Sequence, residues 1–241
     1  MNLKYDFHIH SCLSPCGDND MTPYNIVNMA KLLGYDIIAL TDHNSCLNCP
    51  ATIEAGKKIG LTVIAGMELC TAEEIHVVCL FEKCESALKF SDYVKSKMPY
   101  VQNDVEIFGN QYIMDSADNI IGSEDVLLTT ASSISIDSVV EIVTEYGGVA
   151  FPAHLDRASY SVFSVLGFMY PEMGFKSVEF THNADILKYE NDHIILKNMN
   201  IVQNSDAHYL ENMPEPKKTI NLSSCTPKAV VDFLRTEKIT I

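Results

Sequence analysis

Six of the eight histidines in this chain stand beside or between carboxylates, most of them just after a short apolar run. They occur in His8-Ile9-His10, Asp42-His43, a segment holding Glu68 and then His76, His154, and Asp206-Ala207-His208. Imidazole and carboxylate together form the ligand set of borderline divalent metals such as Zn, Mn and Fe. Histidines serving only a core would not recur at the same end of successive strands, so the pattern points to a multinuclear metal site. His8-x-His10 and Asp206-x-His208 place two side chains on one face of a strand end, which suits two ligands on one ion.

Elements able to position these groups are legible as apolar runs at 5–8, 36–40, 61–65, 75–81, 148–151, 177–180 and 201–203. Helices fall between most of them. Thr22-Pro23 and Thr226-Pro227 are start signals, Ser135 is a third, and Gly34, Gly60 and Gly147-Gly148 are stops. Strands alternating with helices predict a parallel sheet covered by helices, and seven units in a short chain favour a closed, barrel-like α/β fold. Active sites in such barrels lie at the C-terminal strand ends, where these ligands stand. His76 departs from the rule, since it falls near the start of its run. Residues 82–132 break the rhythm and read as an inserted helix plus hairpin, with strands at 105–119 and 120–128; insertions of this kind often cover a pocket. The whole of 1–241 is expected to form a single domain around that insertion.

Composition excludes some functions. No export signal or bilayer-length apolar run is apparent, which predicts a cytoplasmic protein with no membrane partner. The formal net charge of −15 argues against a long nucleic acid as the main ligand and for a small phosphorylated substrate. Eight cysteines without an export signal are expected to be reduced thiols. Cys12-x3-Cys16 and Cys46-x2-Cys49 lie on loops leaving ligand-bearing strands, so a structural metal or redox pair stands as a lesser alternative to free thiols.

With these residues in view, the chain resembles the polymerase and histidinol phosphatase (PHP) superfamily of metal-dependent phosphoesterases. The resemblance rests on Asp6-Phe7-His8-Ile9-His10-Ser11, Ile38-Ala39-Leu40-Thr41-Asp42-His43, Gly66-Met67-Glu68, Glu74-Ile75-His76, Pro152-Ala153-His154 and Ser205-Asp206-Ala207-His208. It implies a distorted (β/α)7, TIM-like barrel with two or three divalent ions: Mn, Zn or Fe, with Mg also compatible. It implies one ion on His8, His10, Glu68 and Asp206, and a second sharing Glu68 and adding His76 and His154. A third would take His43, His208 and a first-loop residue. Counting back from Thr22 selects Asp18 for that residue and counting forward from His10 lands nearer Cys16; hard oxygen favours Asp18 for Mn or Mg.

Asp42 either joins the third ion or fixes the tautomer of a ligating imidazole, the second being preferred. The reaction implied is hydrolysis of a phosphomonoester or nucleotide, such as a 3′,5′-bisphosphate or short oligonucleotide, by a metal-activated hydroxide. Glu68 and Asp206 would be central to it. Arg157, three residues past His154, would clamp a phosphate oxygen or else make a surface ion pair; Ser159 and Tyr160 are weaker candidates for that pocket. His182 ends the sixth strand with a structural role favoured, and His193 receives no role. Tyr100, Phe108 and Tyr112 in the insertion offer a base-stacking face or a small core. An amidohydrolase-type barrel and a non-catalytic, metal-stabilised regulatory module are the competing functions.

Overall fold

A computed structural model describes residues 1–238. In chain order its elements are β1 (Asn2–Ile9), α1 (Pro23–Leu33), β2 (Ile37–Leu40), α2 (Cys49–Ile59), β3 (Thr62–Cys70), β4 (His76–Phe81), α3 (Cys84–Lys97), α4 (Val105–Phe108) and β5 (Tyr112–Met114). There follow β6 (Ile120–Ser123), α5 (Ile136–Glu145), β7 (Gly148–Pro152), α6 (Val162–Val165), β8 (Ser177–Thr181), α7 (Ile186–Asp192), β9 (Asn200–Asn204), β10 (Thr219–Asn221) and α8 (Pro227–Arg235). The helix starts follow local chemistry. The Thr22 side chain accepts the Asn25 amide ahead of Pro23, and the Thr226 side chain accepts that of Ala229 ahead of Pro227. At the other end of α1, Gly34 takes a left-handed φ of 87°, which costs a glycine little.

A six-stranded sheet in the order β10-β1-β2-β3-β4-β7 curls into a partial barrel, and β8-β9 form a separate parallel pair. The pair stands between β7 and β1, held by Leu155 N donating to the Glu179 carbonyl (2.9 Å) and His10 N donating to the Ala207 carbonyl (3.0 Å). The expectation of an all-parallel sheet is corrected in two places. β4 runs antiparallel to both β3 and β7, and β10, which has no counterpart in the sequence reading, runs antiparallel to β1. Only Thr71–Ile75 separate β3 from β4, and a parallel crossover needs a dozen or more residues. The start of β4 therefore lies beside the end of β3, with Cys70 opposite His76, and the anomalous position of His76 is accounted for.

Strands buried on both faces divide the core in two. On one face Ile38, Leu40, Val63, Cys79 and Phe81 pack with Ile26, Ala55, Phe90 and Val139 from the flanking helices. On the other, Phe7, Ile37, Ile64, Leu80 and Phe151 pack with Val230, Val231 and Leu234 of α8. The inserted segment is a helix followed by a hairpin shorter than its sequence implies: 105–108 form a helical turn, and the strands are confined to β5 and β6. The hairpin seats on the first loop, where Tyr112 N donates to the Cys12 carbonyl (3.0 Å) and Asn48 Nδ2 donates to the Tyr112 carbonyl (3.0 Å). Among the described residues no helix is long and apolar enough to cross a membrane.

Candidate metal centre

The strand ends converge on Glu68, which is almost wholly buried. Its Oε1 lies 3.3 Å from His8 Nε2, 2.9 Å from His76 Nδ1 and 3.1 Å from His154 Nε2. Its Oε2 lies 3.4 Å from His10 Nε2 and 2.9 Å from His43 Nδ1. One carboxylate thus faces two sets of imidazoles. Asp206 Oδ1 completes the inner group, 3.3 Å from His8 Nε2 and 3.1 Å from His10 Nε2.

Three sets have ligand atoms within 4.8 Å of one another: His8-His10-Glu68-Asp206, His43-Glu68-His76 and His10-His43-His208. The first is the set that the resemblance implied; in the second His43 stands where His154 was expected, although His154 also reaches Glu68. Asp18 belongs to none of the three, although its amide donates to the carbonyl of His208 at 2.9 Å. Its Oδ1 accepts the Asp20 amide at 2.8 Å in the half-exposed first loop, whereas Cys16, at the surface, lies beside the His43 ring.

These donors fit divalent cations. His43 Nδ1 and Glu68 Oε2 are buried and 2.9 Å apart, yet neither has a hydrogen-bond partner; Asp206 Oδ1 is likewise orphaned. Such atoms are costly to bury unless something between them supplies charge. Burial alone would raise the Glu68 pKa, but the imidazoles of His76, His8 and His43 hold it well below the carboxylate range. Asp206 is also lowered, by His8 and His10 against its burial. Reciprocally, burial would lower the pKa of His8, but Glu179, Asp206 and Glu68 raise it well above its usual value, and His10 and His43 are raised by their carboxylate neighbours. His208 is the exception: burial and the neighbouring His10 push it down to about 3.

Two residues that the sequence reading missed set the imidazole tautomers. Glu179, buried in β8, takes His8 Nδ1 at 2.9 Å and also accepts the His154 amide and Asn204 Nδ2. His8 Nε2 is thereby left facing the cluster. Ser14 does the same for His10. Its only proton goes to Asp42 Oδ1 (2.7 Å), so the 2.9 Å contact with His10 Nδ1 has the imidazole donating. Asp42 therefore acts on the imidazole through Ser14 and is also held by the amide and hydroxyl of Ser11. A carboxylate inside the apolar run at 177–180 was the available signal for Glu179; nothing periodic marks Ser14.

Arg157, 44% exposed, places Nη1 2.6 Å from Asp206 Oδ2. Backbone strain gathers around the centre: Asn44, His154, Tyr160 and Asp206 all have positive φ. His182 does not join the cluster; it lines a small cavity with Asp6, Tyr35 and Ser205. His193 stacks on Phe163. The cysteines do not share one pocket: Cys46 and Cys49 are buried with their thiols on the Gly66 carbonyl, and burial raises Cys46 well above its usual range. Cys12 is pushed up to about 12 for the same reason. Among the described residues no candidate metal group includes a cysteine.

The family model described as "PHP domain" matches residues 6–197. Over 87 residues, 34% of this chain and 31% of the relative, the sequence is 36% identical to a 5'-3' exoribonuclease of Haemophilus influenzae. The lesion-specific endonuclease PfuEndoQ of Pyrococcus furiosus aligns with a TM-score of 0.70 at 17% identity, over 98% of this chain and 56% of that one. An Endonuclease Q complex aligns at 0.67 and 18% identity, over 99% of this chain and 58% of that one; it holds a 27-mer duplex substrate with an abasic lesion at its active site. A Bifidobacterium adolescentis protein described as a metal-dependent phosphoesterase gives 0.58 at 17% identity, over 95% of this chain and 94% of that one. This chain thus spans about a third of the exoribonuclease and somewhat over half of the endonucleases. The expectation against a long nucleic acid is corrected by the duplex complex: a protein of this fold takes such a ligand, so a net charge counted over the whole chain does not exclude one.

Proposed function

This chain belongs to the PHP domain family of metal-dependent phosphoester hydrolases, and we propose that it hydrolyses a nucleotide phosphoester, free or at the end of a nucleic acid strand. The observation that carries the reading is Glu68, whose two oxygens face separate imidazole sets 2.9–3.4 Å away. His8, His10, Glu68 and Asp206 would hold one divalent ion. Glu68 with His76, His43 and His154 would hold a second, and His43 and His208 would contribute to a third if one binds. Bound cations supply water of lowered pKa and neutralise charge on the phosphoryl oxygens.

The chain's own residues do the rest. Glu179 and Ser14 keep the Nε2 lone pairs of His8 and His10 turned inward. Depressed pKa values keep Glu68 and Asp206 as anions, so neither supplies a proton at neutral pH. Arg157 anchors one guanidinium nitrogen on Asp206 and is exposed enough to offer others to a phosphate oxygen. The nucleotide part of the proposal draws on the local 36% identity with the exoribonuclease.

The test is a panel with manganese-loaded protein: adenosine 3′,5′-bisphosphate, a 5′-phosphorylated oligonucleotide, duplex DNA with an abasic site, ribose 5-phosphate and an ester lacking phosphorus. Turnover of nucleotide substrates, abolished in Glu68→Gln, is expected. Turnover of sugar phosphates alone would refute the nucleotide assignment; cleavage of the non-phosphorus ester alone would refute phosphoester chemistry.

A further inference from the structure

Between His154 and α6 the chain makes a tight excursion that ends on an exposed aromatic ring. Arg157 N donates to the His154 carbonyl (2.9 Å), and the buried Ser161 hydroxyl donates to the Arg157 carbonyl (2.8 Å). Tyr160, between these anchors, has a φ of 56°, a region that a bulky side chain avoids. Its carbonyl accepts the His76 amide at 2.8 Å, tying the strained residue to the strand that carries a cluster imidazole. The Tyr160 ring lies parallel to that imidazole, centroids 4.6 Å apart and planes 18° from coplanar.

Packing does not account for this arrangement. The residue stays 47% exposed, so its burial recovers little of the backbone strain. His76 is already directed by its 2.9 Å contact with Glu68. What the strain secures is a flat aromatic surface backed by His76 and open to solvent at the rim of the cluster, in the loop that also carries Arg157. A base has a π-face whatever its identity, and an aromatic ring beside a phosphate-handling centre is the complement of a nucleotide.

We propose that Tyr160 is a substrate-specificity residue that stacks on the nucleobase next to the scissile phosphate. The inference rests on the nucleotide reading above and narrows it: base recognition by stacking, tolerant of base identity, on the strand-β7 side of the centre. The parallel His76 ring stiffens the platform from behind.

The chain contains no tryptophan, so Tyr160→Trp installs a sole indole at the proposed contact. Its fluorescence is expected to be quenched by adenosine 3′,5′-bisphosphate and not by ribose 5-phosphate or inorganic phosphate, with no turnover required. In parallel, the ratio of kcat/KM for adenosine 3′,5′-bisphosphate over ribose 5-phosphate is expected to fall about five- to a hundredfold in Tyr160→Ala, chiefly through KM, and to be restored in Tyr160→Trp. Equal loss on both substrates would mean that the ring merely supports His76 and would overturn the proposal, as would an indole indifferent to the nucleotide. Wild-type protein that cleaves ribose 5-phosphate but no nucleotide would instead refute the parent reading, and this inference with it.

Discussion

Replacing Glu179 by Gln removes one charge and keeps the shape, and the hydrogen-bond geometry fixes the consequence. Oε1 accepts His8 Nδ1 at 2.9 Å and the His154 amide at 3.0 Å; Oε2 accepts His8 Nδ1 at 3.0 Å and Asn204 Nδ2 at 2.7 Å. Whichever way the new amide turns, its NH2 faces either the His154 N–H or the Asn204 NH2, and both can only donate. One buried donor is stranded, costing about 1–3 kcal/mol. The amide also meets His8 Nδ1 with its NH2 as well as its oxygen, which weakens the acceptor that keeps the proton on Nδ1 and leaves Nε2 to face Glu68 and Asp206. Divalent affinity is expected to fall about 10- to 100-fold. Competition of metal-free protein against a chromophoric chelator measures the affinity, and thermal melting of the chelator-treated variant measures the stability. Wild-type affinity together with an unchanged melting temperature would refute the assignment of Glu179 as the group that orients His8.

Other outcomes follow from the same geometry. Arg157→Ala should lower kcat/KM on phosphoesters by about ten- to a hundredfold while leaving metal affinity equal or higher, because Asp206 loses a competing cation; unaltered kinetics would reduce the pair to a surface ion pair. The raised pKa values of His8, His10 and His43 carry a pH signature. A folded pKa above the unfolded one gives stability that is complete below about pH 6.5 and is lost as pH rises through the folded value. Chelator-treated protein should therefore melt lower as pH is raised above that point. Metal-loaded protein should gain relative to it, since ligation requires neutral imidazoles; parallel melting curves would contradict this. Brief alkylation of native protein followed by mass spectrometry should mark exposed Cys16 and spare buried Cys46, Cys49 and Cys79; early labelling of the Cys46/Cys49 pair would contradict the burial.

Much of this centre is legible in the sequence because ligands at strand ends obey a local rule. Apolar runs mark the strands, and the residues that follow them project from one end of the sheet. His76 escaped the rule because strand direction is set by connection length, and the five residues between β3 and β4 were the overlooked evidence for a hairpin. Asp18 is selected only by counting along an irregular loop, where no periodicity reports which side chain turns inward. Its carboxylate turns back on the Asp20 amide. The roles of Glu179 and Ser14 escape the sequence for another reason. Their role lies in which imidazole nitrogen they touch, and that depends on contacts between β8 and β1 or between a loop and a strand. The net charge misled about nucleic acid because a sum over the chain says nothing of the field inside a pocket lined by histidines and Arg157.

The central claim is that Glu68 bridges cations held by strand-end imidazoles. Anomalous diffraction from crystals grown with manganese tests it most directly. The expected map has one peak within bonding reach of His8, His10, Glu68 and Asp206, and another on the opposite side of the Glu68 carboxylate near His76 and His43. An ordered cluster with no anomalous density between those side chains, at saturating manganese, would contradict it.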